Sequence, residues 1–300
     1  MKYIYVLLSF IFLTISLSAQ DIHKLTGSLL WRVSGNGLSQ PSYILGTHHL
    51  ISQSFIDSIP HIHEAFNETR QVVGEVLLSD QAEMQSQIQS VSLLDSSVTY
   101  HDLLSDEDYH ILDNGLKEVL GAGLNRFGAF RPAVLSMVYS IAIYSKQYPN
   151  INWAAHEPVD SYIQRLARSE DKPVIGLETI ADQLYILLDI QSDQQQAQSL
   201  VCNVRNGEYK ESMIDNMNKY YRNGQLDKLY EMYNTDRLCS DSQDYRDAIY
   251  KDRNNKWMLR LPDLMREKPS FIAVGALHLA GDDGLLYQLA KEGYVLEAVE

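Results

Sequence analysis

The sequence lacks the excess of basic residues that proteins binding nucleic acid carry. Lysine and arginine together number 25, against 39 aspartates and glutamates, and the formal net charge is −14 at pH 7. A chain with this charge repels phosphate backbones, so we expect no nucleic-acid partner. The acidity is otherwise compatible with any well-solvated globular protein.

Several patterns of hydrolases and nucleotide-dependent enzymes are absent as well. There is no His-Glu-x-x-His zinc motif, because His63-Glu64 is followed by Ala65-Phe66-Asn67. The sequence also contains no Gly-x-Ser-x-Gly nucleophile elbow and no glycine-rich phosphate loop. These absences argue against a serine hydrolase and against a nucleotide-dependent enzyme.

Cysteine is scarce, and the chain has only Cys202 and Cys239. Neither residue lies in a motif with a histidine, so nothing indicates a cysteine nucleophile. In an oxidising compartment the two would pair, whereas the alternative is a pair of buried thiols. We expect the disulfide, which would stabilise the fold by about 4 kcal/mol on the loop-entropy model.

Long apolar runs are confined to the N-terminus, between Val6 and Leu17. Lys2 precedes this run and Ser18-Ala19 follow it, which is the pattern of a secretory signal peptide. The run is short for a membrane span. We therefore expect a signal peptide over residues 1–19 and an exported chain, periplasmic or extracellular, without stable membrane insertion after cleavage. An uncleaved N-terminal anchor is the alternative.

Residues 20–300 predict one domain of the α/β (α+β) class, with a central mixed β-sheet flanked by helices. No internal repeat or long linker divides this part of the chain. Residues 193–267 are polar, rich in tyrosine and almost all helical in pattern, and we expect them to form a large helical insertion. Strands are predicted where short apolar runs end at a turn, namely at 29–33, 42–45, 71–78, 173–176, 270–275 and 294–296.

Two of the predicted strands end in the same pattern, Gly-x-x-His. One strand runs into Gly46-Thr47-His48-His49, and another into Gly275-Ala276-Leu277-His278. Ligands of open α/β sheets gather at the carboxyl ends of strands, so histidines there are well placed for chemistry. We expect the two corners to face one cleft.

Three charged residues are further candidates. Glu75 ends an apolar strand, where an ionised carboxylate is costly unless it is paired or coordinates a metal. Glu178 lies where a strand meets a helix, and is either a ligand or a first-turn acid favoured by the helix dipole. Arg253, on a late helix, either neutralises a carboxylate in the cleft or forms a surface salt bridge.

His49, His278 and Glu75 are the donor types that suit Zn, Mn, Co or Fe, and a catalytic ion would leave one position open for water. The alternative is that Glu75 bonds a backbone amide or an arginine such as Arg131, and that the histidines are hydrogen-bonded corner residues. The role of His48 stays open. We expect the remaining histidines at the surface: His23, His61, His63, His101, His110 and His156.

At these residues the sequence resembles the TraB/GumN family, to which the animal TIKI metalloproteases are related. The resemblance covers most of the chain, and its motifs occur in the family's order. They are matched by Gly46 to His49, by Val72-Val73-Gly74-Glu75, by Gly176-Leu177-Glu178-Thr179 with Gln183 just after, by Arg253-Asn254, and by Gly275 through Gly281.

The resemblance implies a metal-dependent hydrolase that acts on a peptide or protein. His49, Glu75 and His278 would hold a divalent ion, Mn, Co, Zn or Fe. Glu75 or Glu178 would take the proton of water, and Arg253 would steady the oxyanion. Distant similarity to the erythromycin esterases implies one alternative, a metal-independent hydrolase in which a histidine activates water. The other alternative is a non-enzymatic protein that binds a peptide in the cleft.

Overall fold

The computed structural model describes residues 26–78, 81–239 and 242–300. The signal peptide predicted at residues 1–19 lies outside them. Among the described residues, no helix combines the length and the apolar character needed to cross a membrane.

Six strands form one mixed sheet at the centre of the described chain: β1 (Leu30–Gly35), β2 (Ser42–Thr47), β3 (Gln71–Gly74), β4 (Val174–Gly176), β5 (Ser270–Gly275) and β6 (Tyr294–Ala298). Their order across the sheet is β4-β3-β5-β2-β1-β6. The first four in this order run parallel, whereas β1 is antiparallel to both of its neighbours. The predicted fold class, a mixed sheet flanked by helices, is confirmed.

Local sequence explains the central strands and the hairpin beside them. β2 is buried along its whole length and β5 along all but its last residue, as parallel strands covered on both faces require. The turn between β1 and β2 places Gly35, Asn36 and Gly37 at φ values of 78°, 41° and 81°. Glycine and asparagine tolerate this left-handed region, so the turn that closes the hairpin is encoded locally.

The parallel strands bring the predicted motifs to one edge of the sheet. Thr47 of β2 pairs with Gly275 of β5, and Gly74 of β3 pairs with Ala273 and Gly176. The chain leaves all of these strands in the same direction. The residues that follow them therefore meet at the carboxyl edge, where ligands of α/β sheets bind.

Fifteen helices surround the sheet in the described residues. They are α1 (Ile62–Glu68), α2 (Gln81–Val91), α3 (Tyr100–Leu103), α4 (Asp106–Leu120), α5 (Leu124–Phe127), α6 (Pro132–Gln147), α7 (Val159–Ser169), α8 (Ile180–Leu188), α9 (Asp193–Arg205), α10 (Gly207–Arg222), α11 (Leu226–Thr235), α12 (Gln243–Ile249), α13 (Lys251–Met258), α14 (Leu261–Glu267) and α15 (Leu285–Lys291). Two short 3₁₀ helices, Gln53–Ser58 and Ala276–Leu279, also lie in the described residues.

Two apolar clusters hold these layers together. The larger one contains the sheet residues Ile44 and Ile272 together with Phe66 of α1 and Trp257 of α13. The smaller one lies among the helices and includes Leu112 of α4 together with buried residues of α6 and α9. The helical layer thus has a core of its own beside the core of the sheet.

The segment from residue 193 to residue 267 forms helices α9 to α14 and contains no strand in its described part. A disulfide joins Cys202 of α9 to Cys239, which follows α11. The structure therefore pairs the two cysteines, as we expected from the sequence. The bond ties one helix of this segment to the chain that leads into α12.

Candidate functional site

A cavity of about 1030 Å³ opens at the carboxyl edge of the parallel strands. His49, Glu75, Gly275 and His278 line it from the strand ends, and helices α6 to α13 supply its walls. The walls are rich in methionine, leucine, isoleucine and tyrosine. Ligand pockets usually measure roughly 300–1,000 Å³, so this cavity has room for a molecule as large as a short peptide.

Glycines allow the two Gly-x-x-His corners to approach each other. A Cβ on Gly46 would lie 3.0 Å from Cα of Ala276, on the opposite corner. A Cβ on Gly275 would lie 3.2 Å from Oε1 of Glu75. A side chain at either position would prevent this close approach, which explains why glycine opens each motif.

His49 presents one ring nitrogen to the cavity. Its Nδ1 lies 2.8 Å from Oδ2 of Asp160, in the first turn of α7, and the hydroxyl of Thr47 donates to the other oxygen of that carboxylate. Since a carboxylate accepts, Nδ1 carries a proton and donates it. The side chain of His49 is 68% exposed, and its Nε2 has no hydrogen-bond partner among the described residues.

The paired carboxylate sets the charge of His49. Attraction to Asp160, together with their hydrogen bond, raises the pKa of His49 to about 9, against a burial effect in the opposite direction. The imidazole is therefore mostly protonated at neutral pH and neutral above about pH 9. His49 can give a proton at neutral pH and accept one at alkaline pH.

His278 is held in a single neutral tautomer. The amide nitrogen of Asn254 donates to the carbonyl oxygens of His278 and Asp283, so its Oδ1 faces Nδ1 of His278 at 2.7 Å. Nδ1 therefore carries the proton, and Nε2 accepts from Nη1 of Arg253 at 3.0 Å. Burial lowers the pKa of His278 to about 3, so the ring is neutral at physiological pH.

Glu75 follows β3 directly, and both of its oxygens are bonded. Oε1 accepts from the backbone N–H of Gly275 at 2.7 Å, and Oε2 accepts from Arg253 at 2.6 Å and from Gln183 at 3.1 Å. Burial alone would raise the pKa of Glu75, but the attraction of His278, Arg253 and His49 and the Gly275 hydrogen bond lower it to about 2. Glu75 is thus an ionised carboxylate beneath the cavity.

Arg253 is the buried centre of this network. Its Nη2 donates to Glu75 and to Glu178, each at 2.6 Å, and its Nε donates to both oxygens of Glu178. Its Nη1 donates to His278 and to the carbonyl of Ile249. Every N–H of the guanidinium therefore has a protein partner. In this arrangement no N–H of Arg253 is left for an oxyanion.

The structure brings the predicted site residues together at one cavity. His49, Glu75, Arg253 and His278 line it, and Glu178 contacts them through Arg253. The alternative partner for Glu75, Arg131, instead pairs with Asp189 and Asp193. The other half of that alternative, a bond from a backbone amide to Glu75, is present at Gly275.

Two further histidines have buried ring nitrogens: His48, whose role the sequence left open, and His156, which we expected at the surface. His48 accepts from the N–H of Leu50 through Nδ1, while its Nε2 is buried without a described partner. Burial lowers the pKa of His48 to about 4. Both ring nitrogens of His156 are also buried without a partner in the described chain, beside the ring of Trp153.

The three expected metal ligands meet only part of what a metal site requires. His49 and His278 each donate Nδ1–H to an acceptor, as histidines that bind metals usually do. Arg253, however, bonds both His278 Nε2 and Glu75 Oε2. Among residues 26–78, 81–239 and 242–300, no three histidine, cysteine or acidic side chains are grouped so that they could hold one ion. As arranged, the residues do not fit a metal ion unless the guanidinium moves away.

Comparison with known proteins adds one finding to this geometry. The profile of the TraB/PrgY/gumN family matches residues 29–298, nearly the whole chain. The chain belongs to this family. The match spans β1 to the end of β6 and so includes both Gly-x-x-His corners of this TraB/PrgY/gumN protein. Searches of curated proteins and of solved structures find no match.

Asp160 is the residue of the site that the sequence did not reveal. It lies in an ordinary amphipathic helix, and only the fold brings it beside His49. Asn254 and Gln183 were noticed only as parts of family motifs, and their contacts with His278 and Glu75 define their roles. An acid in the first turn of the helix that follows Pro158 was the single available signal for Asp160.

Proposed function

We propose that this TraB/PrgY/gumN protein hydrolyses an acyl bond inside the cavity, namely the C–N bond of a peptide amide. The observation that carries the proposal is His49, whose Nδ1 is held by Asp160 and whose Nε2 faces the cavity without a partner in the described part of the chain. A histidine fixed in this way is suited to move a proton between water and a leaving group. Its neighbours Glu75 and Arg253 are buried and ionised, so they fix the charge around it.

The proposed roles follow from the hydrogen bonds. In the neutral form of His49, which prevails above its pKa of about 9, Nε2 accepts a proton from water as the water attacks the carbonyl carbon, and then donates it to the departing amine. Asp160 holds the ring in the required tautomer. Arg253, Glu178 and Asn254 are positioning residues, because their contacts hold Glu75 and His278 rather than open space.

A defined peptide library tests the proposal. Digestion products of the parent protein are followed by mass spectrometry beside those of His49→Gln. We expect the substitution to lower kcat/KM by about 10²- to 10⁴-fold, the usual contribution of a general acid–base. His63→Gln is the matched control, because His63 pairs with Asp57 at 2.8 Å at an exposed site that does not line the cavity. Equal turnover by parent and His49→Gln would refute the proposal.

The second candidate is a metal-dependent hydrolase, and the Nδ1 contacts of His49 and His278 favour it. The ion would be Mn, Co, Zn or Fe and would be held by His49, Glu75 and His278. It would supply the positive charge that activates water and polarises a carbonyl. Such binding requires Arg253 to leave His278 and Glu75.

Metal content and chelator treatment separate the two candidates. The first candidate predicts that turnover survives removal of metal by a chelator and that the purified protein holds no stoichiometric ion. Stoichiometric metal that is lost in both His49→Ala and His278→Ala, together with turnover abolished by the chelator, would establish the second. Tight peptide binding without any product would instead support a binding protein.

We also propose that the chain is exported to the periplasm or the outside of the cell. The predicted signal peptide and the Cys202–Cys239 bond support this, because structural disulfides form in oxidising compartments. Fractionation of cells that produce the full chain, with mass measurement of its N-terminus, tests both the location and the cut after Ala19. A chain that keeps its first residues in the cytoplasm would overturn the proposal.

A further inference from the structure

One charged side chain in the cavity wall plays no part in the network around Arg253. Arg246 lies on α12 and lines the same cavity as His49 and Glu75. Its Nη2 donates to Oε1 of Gln243, a neutral acceptor, and its Nη1 is buried without a hydrogen-bond partner in the described chain. It forms no ion pair with a described residue, in contrast to Arg253.

A buried guanidinium N–H without an acceptor is costly, because it has lost water and gained nothing in return. Arginine prefers planar, charged acceptors, and a carboxylate is the acceptor that matches its geometry best. Asp236 also lines the cavity, but its Oδ1 accepts from the hydroxyl of Tyr209 and the N–H of Leu238, and no hydrogen bond links its carboxylate to Arg246 in the described chain. In the described chain Nη1 of Arg246 therefore has no acceptor, and a ligand in the cavity can supply one.

We propose that Arg246 binds a carboxylate of the substrate, and that the cavity accordingly selects peptides with a free C-terminus. The inference rests on the hydrolysis proposed above and names the substrate class for it. α12 is separated from α13 by Tyr250 alone, so Arg246 and Arg253 lie on consecutive helices of one wall. The side chains of a short peptide would lie along the apolar wall between its anchored carboxylate and His49.

Paired peptides test this inference. Each sequence is made once with a free C-terminal carboxylate and once as the C-terminal amide. Both are given to the protein that comprises residues 20–300. We expect the parent to cleave the acid with a kcat/KM about tenfold or more above that of the amide, the effect of one charge-assisted hydrogen bond. Arg246→Gln should remove this preference by lowering kcat/KM for the acid about tenfold more than for the amide.

The controls separate charge, position and folding. Arg237→Gln removes an exposed arginine of the neighbouring loop that does not line the cavity, and it should keep the preference. Arg246→Lys keeps the charge and should retain part of the preference for the acid. Thermal unfolding of each variant shows whether the substitution has disturbed the fold, since Arg246 also bonds Gln243.

Each possible result either supports or overturns the carboxylate site at Arg246. Equal cleavage of acid and amide by the parent would overturn the carboxylate site and leave the hydrolase proposal standing. If neither peptide is cleaved, the hydrolase proposal fails, and calorimetric binding of the same pair still tests Arg246. Preferential binding of the acid that is lost in Arg246→Gln would support the site. Equal binding, or none, would overturn it.

Discussion

At the scale of single residues, hydrogen bonds fix the chemical form of each side chain in the cavity. The orientation of the Asn254 amide dictates that His278 carries its proton on Nδ1, and Asp160 dictates the same for His49. The two rings nevertheless differ in charge. His278 is buried and neutral, whereas His49 is open to the cavity and paired with a carboxylate.

The first prediction concerns the titration of His49. Replacing Asp160 by asparagine removes the charge that raises the pKa of His49 to about 9, so this pKa should fall toward the ordinary value of 6.5. Histidine side-chain NMR signals, with His49→Gln for assignment, measure the shift. Asp57→Asn is the matched control, because it alters the exposed pair with His63. A His49 pKa that is the same in parent and Asp160→Asn would contradict the account.

The second prediction concerns Arg253. Arg253→Met would leave Glu75 and Glu178 as buried carboxylates without their cation, and the side chains of all three are less than a tenth exposed. We expect a loss of about 3–5 kcal/mol in the free energy of unfolding, measured by urea denaturation. Adding Glu178→Gln to Arg253→Met should recover part of the loss. If Arg253→Met alone is as stable as the parent, the network around Arg253 does not stabilise the fold.

Residue patterns predicted part of this network. Glu75 was expected to be paired or coordinating because it ends an apolar strand, and its partner Arg253 was among the candidates. Which of two arginines would reach Glu75 depends on how the helices pack, so the sequence left Arg131 open as well. Asp160 meets His49 only through the packing of α7 on the sheet, and no local pattern encodes that contact.

At the scale of elements, the site is built from strand ends and the turns that follow them. Apolar runs that stop at glycine predicted β2, β4 and β5 closely. In β2 and β5 the run is continuous because these strands are buried on both faces, whereas the residues of the edge strand β4 are partly buried. The strand carrying Glu75 is shorter than predicted and ends at Gly74. Glu75 is thereby released from the sheet ladder, and its carboxylate reaches the N–H of Gly275 on the neighbouring corner.

The third prediction concerns the disulfide as a brace between elements. The bond closes a loop of 37 residues between α9 and the segment before α12. Replacing both cysteines by serine should lower the free energy of unfolding by about 4 kcal/mol, because the unfolded chain regains that loop's freedom. Calorimetry of the variant and of the reduced parent measures the effect. Identical melting of oxidised and reduced parent would contradict it.

At the scale of the whole molecule, buried neutral histidines couple stability to pH. The folded chain keeps His278 neutral down to a pKa of about 3, whereas an ordinary histidine binds a proton near 6.5. The unfolded state therefore binds more protons in this window, and stability falls as the pH drops below 6.5. Glu75, with its pKa lowered to about 2 from 4.5, adds a further loss at more acidic pH.

The fourth prediction follows from this coupling. Between pH 6.5 and 5.5, His278 should account for a loss of about 1 kcal/mol in the free energy of unfolding. Urea denaturation at the two pH values, compared between the parent and His278→Gln, measures that share. His49 has the opposite sign, because its raised pKa stabilises the fold below 6.5 and ceases to do so as the pH rises through 9. Equal pH dependence in parent and variant would contradict the prediction.

The most direct test of the central claim, hydrolysis at His49, is the incorporation of oxygen from water into product. Library peptides are digested in water enriched in ¹⁸O by the metal-stripped parent protein and by His49→Gln. The account predicts one heavy oxygen in each new carboxylate with the parent, and a loss of that product in the variant. Unlabelled products, or labelled products formed equally by His49→Gln, would contradict hydrolysis at this residue.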